Sequence, residues 1–291
     1  MAVLVGLWFV LRRLDAHVLW AVVTRANPVL LVLAAALALT QLGCRAIAWK
    51  IILSPAAHLS YARTFRYVLA GAAASALAPG RAGEALRIWL LKRDNGIPMP
   101  TSAAVAVVER ILDGVAMLIV LAPVPWLLPG LPAWVGHVLV TLLVLATTLL
   151  VAVTVLSWRS RPPRWFTSFH AGLGIARHPA LLGMVMLTLG AAWLLDLTCV
   201  NVVTRAVGLS LAPATGLVVL LAVNAAVLVP VMPASLGAFE LGALAALASL
   251  GVPGERGLAF ALLYHLAQVL PVVVLALFDN GFVAAPQKPG T

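Results

Sequence analysis

Long apolar runs alternate with short polar breaks along this chain, and the breaks recur at matching places. Val29–Trp49, Ser102–Leu121, Val135–Trp158, Ala180–Val203 and Leu258–Phe278 are each apolar over at least 20 residues. At about 1.5 Å of rise per residue, each suits a helix crossing roughly 30 Å of hydrocarbon. Two further regions are interrupted. Phe65–Ala78 is apolar, rich in alanine and stops at Pro79-Gly80, and Glu84–Arg93 follows it as a returning arm. Thr215–Val231 breaks at Pro230-Val-Met-Pro233, with Gly237–Leu250 as its returning arm. Fourteen residues before a Pro-Gly break fit a half-helix that re-enters a cavity better than a full crossing.

The remaining segments are connections. Asp15–Asn27 is mixed and carries His17 and Trp20, which suits an interfacial piece. Lys50–Arg66 is a polar link, Pro123–Trp134 an uncharged turn, and Arg159–Pro179 a basic loop flanked by Trp158, Trp165 and Phe166. Met1–Leu11 is apolar but lacks the basic start and small-residue cleavage site of a signal peptide. Those eleven residues are too short to cross, so either the span continues past Arg12-Arg13 or the start clips a longer helix. Asp279–Thr291 reads as a disordered tail.

The breaks repeat at an offset of about 155 residues. Pro79-x-x-x-Gly83 returns as Pro233-x-x-x-Gly237, and Gly96-Ile-Pro98 as Gly251-Val-Pro253. Glu109, Arg110 and Asp113 align with Tyr264, His265 and Gln268, while Gln41, Cys44 and Lys50 align with Asp196, Cys199 and Arg205. The expected organisation is one transmembrane domain of two repeats, about 1–125 and about 133–278. Each unit has two spans, a broken hairpin and a final span. An odd number of crossings per unit makes the two inverted. The fold class is therefore an all-α polytopic membrane protein, a helical bundle of two inverted repeats, each with a broken re-entrant hairpin.

Composition agrees. The chain is 63% hydrophobic and 10% charged, against about 25% charged in soluble domains. Its 19 basic and 9 acidic residues give a net charge of +10. The basic residues sit in short loops beside apolar runs rather than among stacking aromatics, so nucleic acid is not the expected partner. The basic 81–100 and 159–179 loops fall on the cytoplasmic side by the positive-inside rule, while Arg12, Arg13 and Arg25 fall on the other. Cys44 and Cys199 form no CxxC or Cys/His cluster, so neither a disulfide framework nor a metal site is expected.

The chemistry lies in ionisable groups within apolar helices. A half-helix starting after Pro79-Gly80-Arg81-Ala-Gly83 aims free backbone N–H groups and a positive dipole end into the membrane, where phosphate is the natural guest. Arg81 and Arg87 either hold such a phosphate or meet water at the surface, and Glu84 pairs with Arg87 when the site is empty. Glu109, Arg110 and Asp113 either line a headgroup cavity or neutralise one another and lock their helix. Two acids to one arginine leave a spare carboxylate that carries a coupling proton. Glu240 serves as a dipole-matched cap or a site residue, and His265 as a packing group or a ligand. Asp196 is a lone polar group within a span, Arg45 pairs with an acid or snorkels, and the tryptophans are mostly interface anchors.

PGRAGEALRIWLLKRDNGIP, AAVAVVERILDGVAML and VPVMPASLGAFELGALAALASLGVP together resemble the transmembrane region of lysylphosphatidylglycerol synthases, a region also found in stand-alone flippase-like membrane proteins. The resemblance covers nearly the whole chain. It implies a helical bundle with two re-entrant hairpins that moves lipid between leaflets. The relatives act on aminoacylated phosphatidylglycerol or polyprenyl-linked sugars, or accompany hopanoid synthesis. The motif positions it carries over are Pro79, Gly80, Gly83, Glu84, Arg87, Glu109, Arg110, Asp113, Pro233, Gly237 and Glu240. The synthases continue into a soluble transferase domain and this sequence ends at Thr291, so a stand-alone member is expected.

The expected function is translocation of an anionic or phosphate-bearing lipid across the cytoplasmic (inner) membrane. No cofactor is expected, because no G-x-x-x-x-G-K-[ST] loop is present. The expected substrate site comprises Arg81, Gly83, Glu84, Arg87, Glu109, Arg110, Asp113, Glu240 and His265, with hairpin breaks at Pro79, Gly80, Pro233 and Gly237. Two rival readings remain. One is a non-catalytic membrane partner of a lipid-modifying or glycosyl-transferring enzyme. The other is a membrane-embedded enzyme using Glu109 or Asp113 as acid or base, less expected because no nucleophile–base pair accompanies them.

Overall fold

Asn27 and Pro28 start the first long helix. The Asn27 side chain accepts the backbone N–H groups of Val29 and Leu30 at 3.0 and 3.3 Å, and Pro28 occupies the first turn, where no N–H is needed. The computed structural model describes residues 15–78, 82–127, 133–158, 163, 167–227 and 235–279, and all the secondary structure among them is helical. The helices are α1 (Ala16–Arg25), α2 (Pro28–Leu53), α3 (Tyr61–Leu77), α4 (Ala82–Asn95), α5 (Met99–Leu121), α6 (Val124–Leu127), α7 (Ala133–Ser157), α8 (Thr167–Gly172), α9 (Pro179–Ala206), α10 (Thr215–Ala226), α11 (Ala238–Ser249) and α12 (Gly254–Phe278). Four are long and apolar enough to cross a membrane: α2, α7 over Leu139–Ser157, α9 and α12. The fifth expected span is α5, which carries Glu109, Arg110 and Asp113. At about 1.5 Å per residue, α10 and α11, of 12 residues each, reach only about 18 Å and cannot cross.

Among the described residues, each expected apolar run appears as a helix, with shifted ends. α3 starts at Tyr61 rather than Phe65, because the Ser60 hydroxyl caps it by accepting the Arg63 N–H. A reading that follows apolar residues alone misses such a polar first turn. The basic loop before α9 contains α8, which was not expected. It is tied down where the Thr101 hydroxyl donates to the Ser168 carbonyl at 2.7 Å, and where a Cβ on Gly172 would lie 2.3 Å from the Thr101 oxygen. Pro79, Gly80, Arg81 and Pro233 lie outside the described residues, as do Met1–Leu11 and the tail beyond Asp279.

The two Gly-x-Pro punctuation marks do the same mechanical job. Gly96 (φ 67°) ends α4 and Gly251 (φ 76°) ends α11, both in the left-handed region that glycine adopts without penalty. Val252 donates to Leu247 O at 3.0 Å in a Schellman closure, and Gly96 donates to Lys92 O at 3.1 Å in the simpler variant. Pro98 and Pro253 then precede the next helix in each case. A long helix, two short arms and a long helix thus occur twice, as α2–α5 and α9–α12.

α2 and α9 pack along one another and run antiparallel. Asn27 N donates to Ala206 O at 2.9 Å, the Cys199 thiol approaches Ala34 O at 3.5 Å, and Arg45 lies over the Trp193 ring. Lipid tails are as apolar as leucine, so close packing rather than water exclusion holds such helices together. The contact face of α2 accordingly uses fully buried alanines, including Ala34, Ala38 and Ala46. The apolar core forms two clusters, one around each pair of short arms, and α2 and α9 contribute to both. Each hairpin closes on a glycine: a Cβ on Gly83 would lie 2.0 Å from Gly71 O, and one on Gly242 2.8 Å from Ala222 O.

Candidate functional site

Gly83 brings α4 against α3, and this approach places the first turns of α4 beside the middle of α5. Two ion pairs join α4 to α5 and a third joins α2 to α5. The Arg87 Nη1 donates to Glu109 Oε1 at 3.2 Å, and Oε2 lies 3.1 Å from the same nitrogen without a hydrogen bond of its own. The Arg110 Nε donates to Glu84 Oε1 at 3.0 Å. The Arg45 Nη1 on α2 donates to Asp113 Oδ1 at 2.8 Å. Together these six residues line a cavity of about 160 Å³ between α2, α3, α4 and α5, with Ser75 and Gly71 on the α3 wall.

This pairing differs from the expected one. Glu84 bonds Arg110, not Arg87, and Asp113 takes its ion pair from Arg45 rather than from Arg110. Side chains one turn apart on α4 or α5 have a neighbouring helix within reach, and the cross-helix partner wins because it also locks the two helices. The spare carboxylate is absent from this set. Three acids face three arginines, since Arg45 supplies the third cation from a different helix.

Two of the tryptophans, read as mostly interface anchors, are core residues. Trp49 is fully buried with the Arg87 guanidinium 5.0 Å over its ring. Trp193, 5% exposed, receives Arg45 over its ring at 5.1 Å and donates its indole N–H to Asp113 Oδ1 at 3.0 Å. Each ring stabilises a guanidinium that water cannot reach freely, by cation–π attraction. The sequence offered a signal for both: each lies on the helix face that also carries Gln41 and Arg45 or Asp196.

The second half builds a smaller counterpart. Glu240 is the third residue of α11, as Glu84 is of α4, and His265 is the twelfth of α12, as Arg110 is of α5. Glu240 Oε1 and His265 Nδ1 are 2.6 Å apart, Glu240 Oε2 accepts the Gly237 N–H at 2.6 Å, and Phe239 stacks on the imidazole at 4.3 Å. Gly237 sits at φ 82°, a conformation that needs glycine. So Glu240 both caps the helix and holds His265. The second half does not share the cavity of the first, and Glu240 and His265 lie apart from its arginines. Between the two stands Asp196 on α9, whose Oδ1 accepts the Tyr264 hydroxyl at 2.8 Å and the Gln268 amide. Among the described residues no group of three His, Cys, Asp or Glu side chains could hold a metal ion.

Residues 1–276 match the family profile of the lysylphosphatidylglycerol synthase TM region. The chain belongs to that family. Its membership and its apolar helices make it a multi-pass membrane protein. The match spans both halves, so the cavity of the first and the Glu240–His265 pair of the second lie within the family region. A comparison with curated proteins finds no match.

Proposed function

We propose that this family member moves a lipid with an anionic, phosphate-bearing headgroup between the leaflets of the cytoplasmic membrane. The cavity that holds Arg45, Arg87 and Arg110 beside the start of α4 carries this reading. A guanidinium exchanges a carboxylate for a phosphate at similar geometry, so a headgroup enters by taking an arginine from its acid. The displaced acids keep an empty site neutral and return when the headgroup leaves. Arg81, outside the described residues, directly precedes α4 in the sequence.

The two halves are read as inverted repeats, about 1–125 and about 133–278. α2 and α9 run antiparallel, so the first hairpin enters from the bundle end that carries Lys50, Arg63, Lys92 and Arg93, and the second from the opposite end. The basic end is the cytoplasmic one by the positive-inside rule. Half-helices meeting near the midplane from both sides are the architecture in which one bundle rocks against the other around a fixed site. The alternative of a non-catalytic partner for a lipid-modifying enzyme needs no such cavity.

The test is reconstitution in liposomes with fluorescent phospholipid, reading the label that external dithionite cannot reach. Loss of the protected fraction faster than in protein-free vesicles, abolished by Arg87→Ala and Glu109→Gln, supports translocation. No acceleration with several anionic headgroups and an intact fold overturns it.

A further inference from the structure

A further buried acid lies outside the six-residue cavity. We propose that Asp196 is a proton-binding site that couples lipid movement to a proton gradient, an inference that rests on the translocation reading above. Asp196 is 7% exposed, near the middle of the membrane-crossing helix α9. Its hydrogen bonds come from neutral donors, the Tyr264 hydroxyl and the Gln268 amide from α12, with the Gln41 side chain of α2 beside them. A polar cluster that only joined helices would need no acid here, because an amide accepts from the same donors. An ionised carboxylate bound by neutral dipoles in a low-dielectric interior, with the Arg45 guanidinium committed to Asp113, carries a penalty of several kcal/mol.

The groups around it are few. α2 presents Gln41 and Arg45, α12 presents Tyr264 and Gln268, and α9 itself adds Cys199 and Trp193. His265, next to Tyr264 and packed on the same Phe239 ring, is bonded to Glu240. Asp113 and Glu109 on α5 communicate with Asp196 through Arg45, which bonds Asp113 and interacts electrostatically with all three acids. Trp193 and Asp196 are one turn apart on α9, so the helix that touches the cavity through Trp193 also carries the proton site.

Arg45 therefore links the two. A phosphate seated on Arg45 adds negative charge beside Asp196, and one proton taken up from water offsets it. Departure of the headgroup on the other side returns that proton to water there, with no other bond changed. Lipid and proton travel in the same direction.

The experiment uses the full chain in liposomes with fluorescent phosphatidylglycerol, a trapped pH dye, and the membrane potential clamped. For the parent, a gradient of about one pH unit should hold the leaflet ratio away from unity, by up to about tenfold at one proton per lipid. Asp196→Asn should bring lipid to an even distribution with no response to the gradient. A parent that ignores the gradient, or an Asn variant that keeps the response, overturns the proposal. If the parent moves no lipid, the translocation reading fails and the proton site is decided by infrared spectroscopy of the purified protein. A protonated-carboxyl band present in the parent, absent in Asp196→Asn and shifted in Tyr264→Phe supports it. Absence of the band in the parent overturns it.

Discussion

Glu240 and His265 meet in the second half at the helix positions where Glu84 and Arg110 meet in the first. An acid in the third position of a returning arm binds a base in the twelfth position of the final helix in both places. The two pairs differ in burial: the Glu240 and His265 side chains are 5% and 8% exposed, while Arg110 is 57% exposed. Breaking the buried pair should therefore hurt more. His265→Leu is expected to cost about 3 kcal/mol, because it strands a buried carboxylate, and Arg110→Leu about 0.5 kcal/mol. Thermal unfolding in detergent compares them, and equal losses would contradict the argument.

Asp113→Asn should destabilise by about 3 kcal/mol, since it leaves the part-buried Arg45 without its counter-ion. Replacing both, as Arg45→Met with Asp113→Leu, should recover most of the loss, because a well-packed apolar pair has no charge to desolvate. The double-mutant cycle on unfolding midpoints reads the coupling, and additive effects would show that the two do not interact.

Gly83→Ala should open the first hairpin. The added methyl meets a backbone carbonyl at 2.0 Å, which cannot rotate aside, and overpacking of this kind costs about 3 kcal/mol. Gly114→Ala, where a Cβ meets nothing within 4 Å, is the matched control and should be neutral or better. Protease sensitivity of the two variants separates them.

Gly251→Ala should cost about 1–2 kcal/mol through its left-handed backbone alone, because nothing crowds the added Cβ. Gly96→Ala should cost the same, as its φ and surroundings match. A large difference between the two in unfolding midpoint would show that the paired turns are not equivalent.

Much of the fold was legible in the sequence because its determinants are local. A proline or glycine ends a helix wherever the chain places it, so Asn27-Pro28, Gly96-Ile-Pro98 and Gly251-Val-Pro253 marked their boundaries without any knowledge of packing. Apolar length marked α2, α7, α9 and α12, and the recurrence of the proline and glycine breaks at about 155 residues exposed the repeated order of elements. The charged positions were visible too, since an ionisable residue in an apolar run stands out.

Who pairs with whom was not visible. Arg45 reaches Asp113 across 68 residues, Trp193 donates to it across 80, and Asp196 meets Gln268 across 72, so spacing along one helix carries no information about them. The sequence by itself determined that this is a helical membrane protein with acids and arginines inside and the same helix punctuation twice. Only the tertiary structure decided that Glu84, Glu109 and Asp113 are each matched by an arginine and that Asp196 is bound by neutral donors. Helix boundaries follow from backbone chemistry within a few residues, whereas a buried charge takes its partner from whichever helix packing brings within about 3 Å.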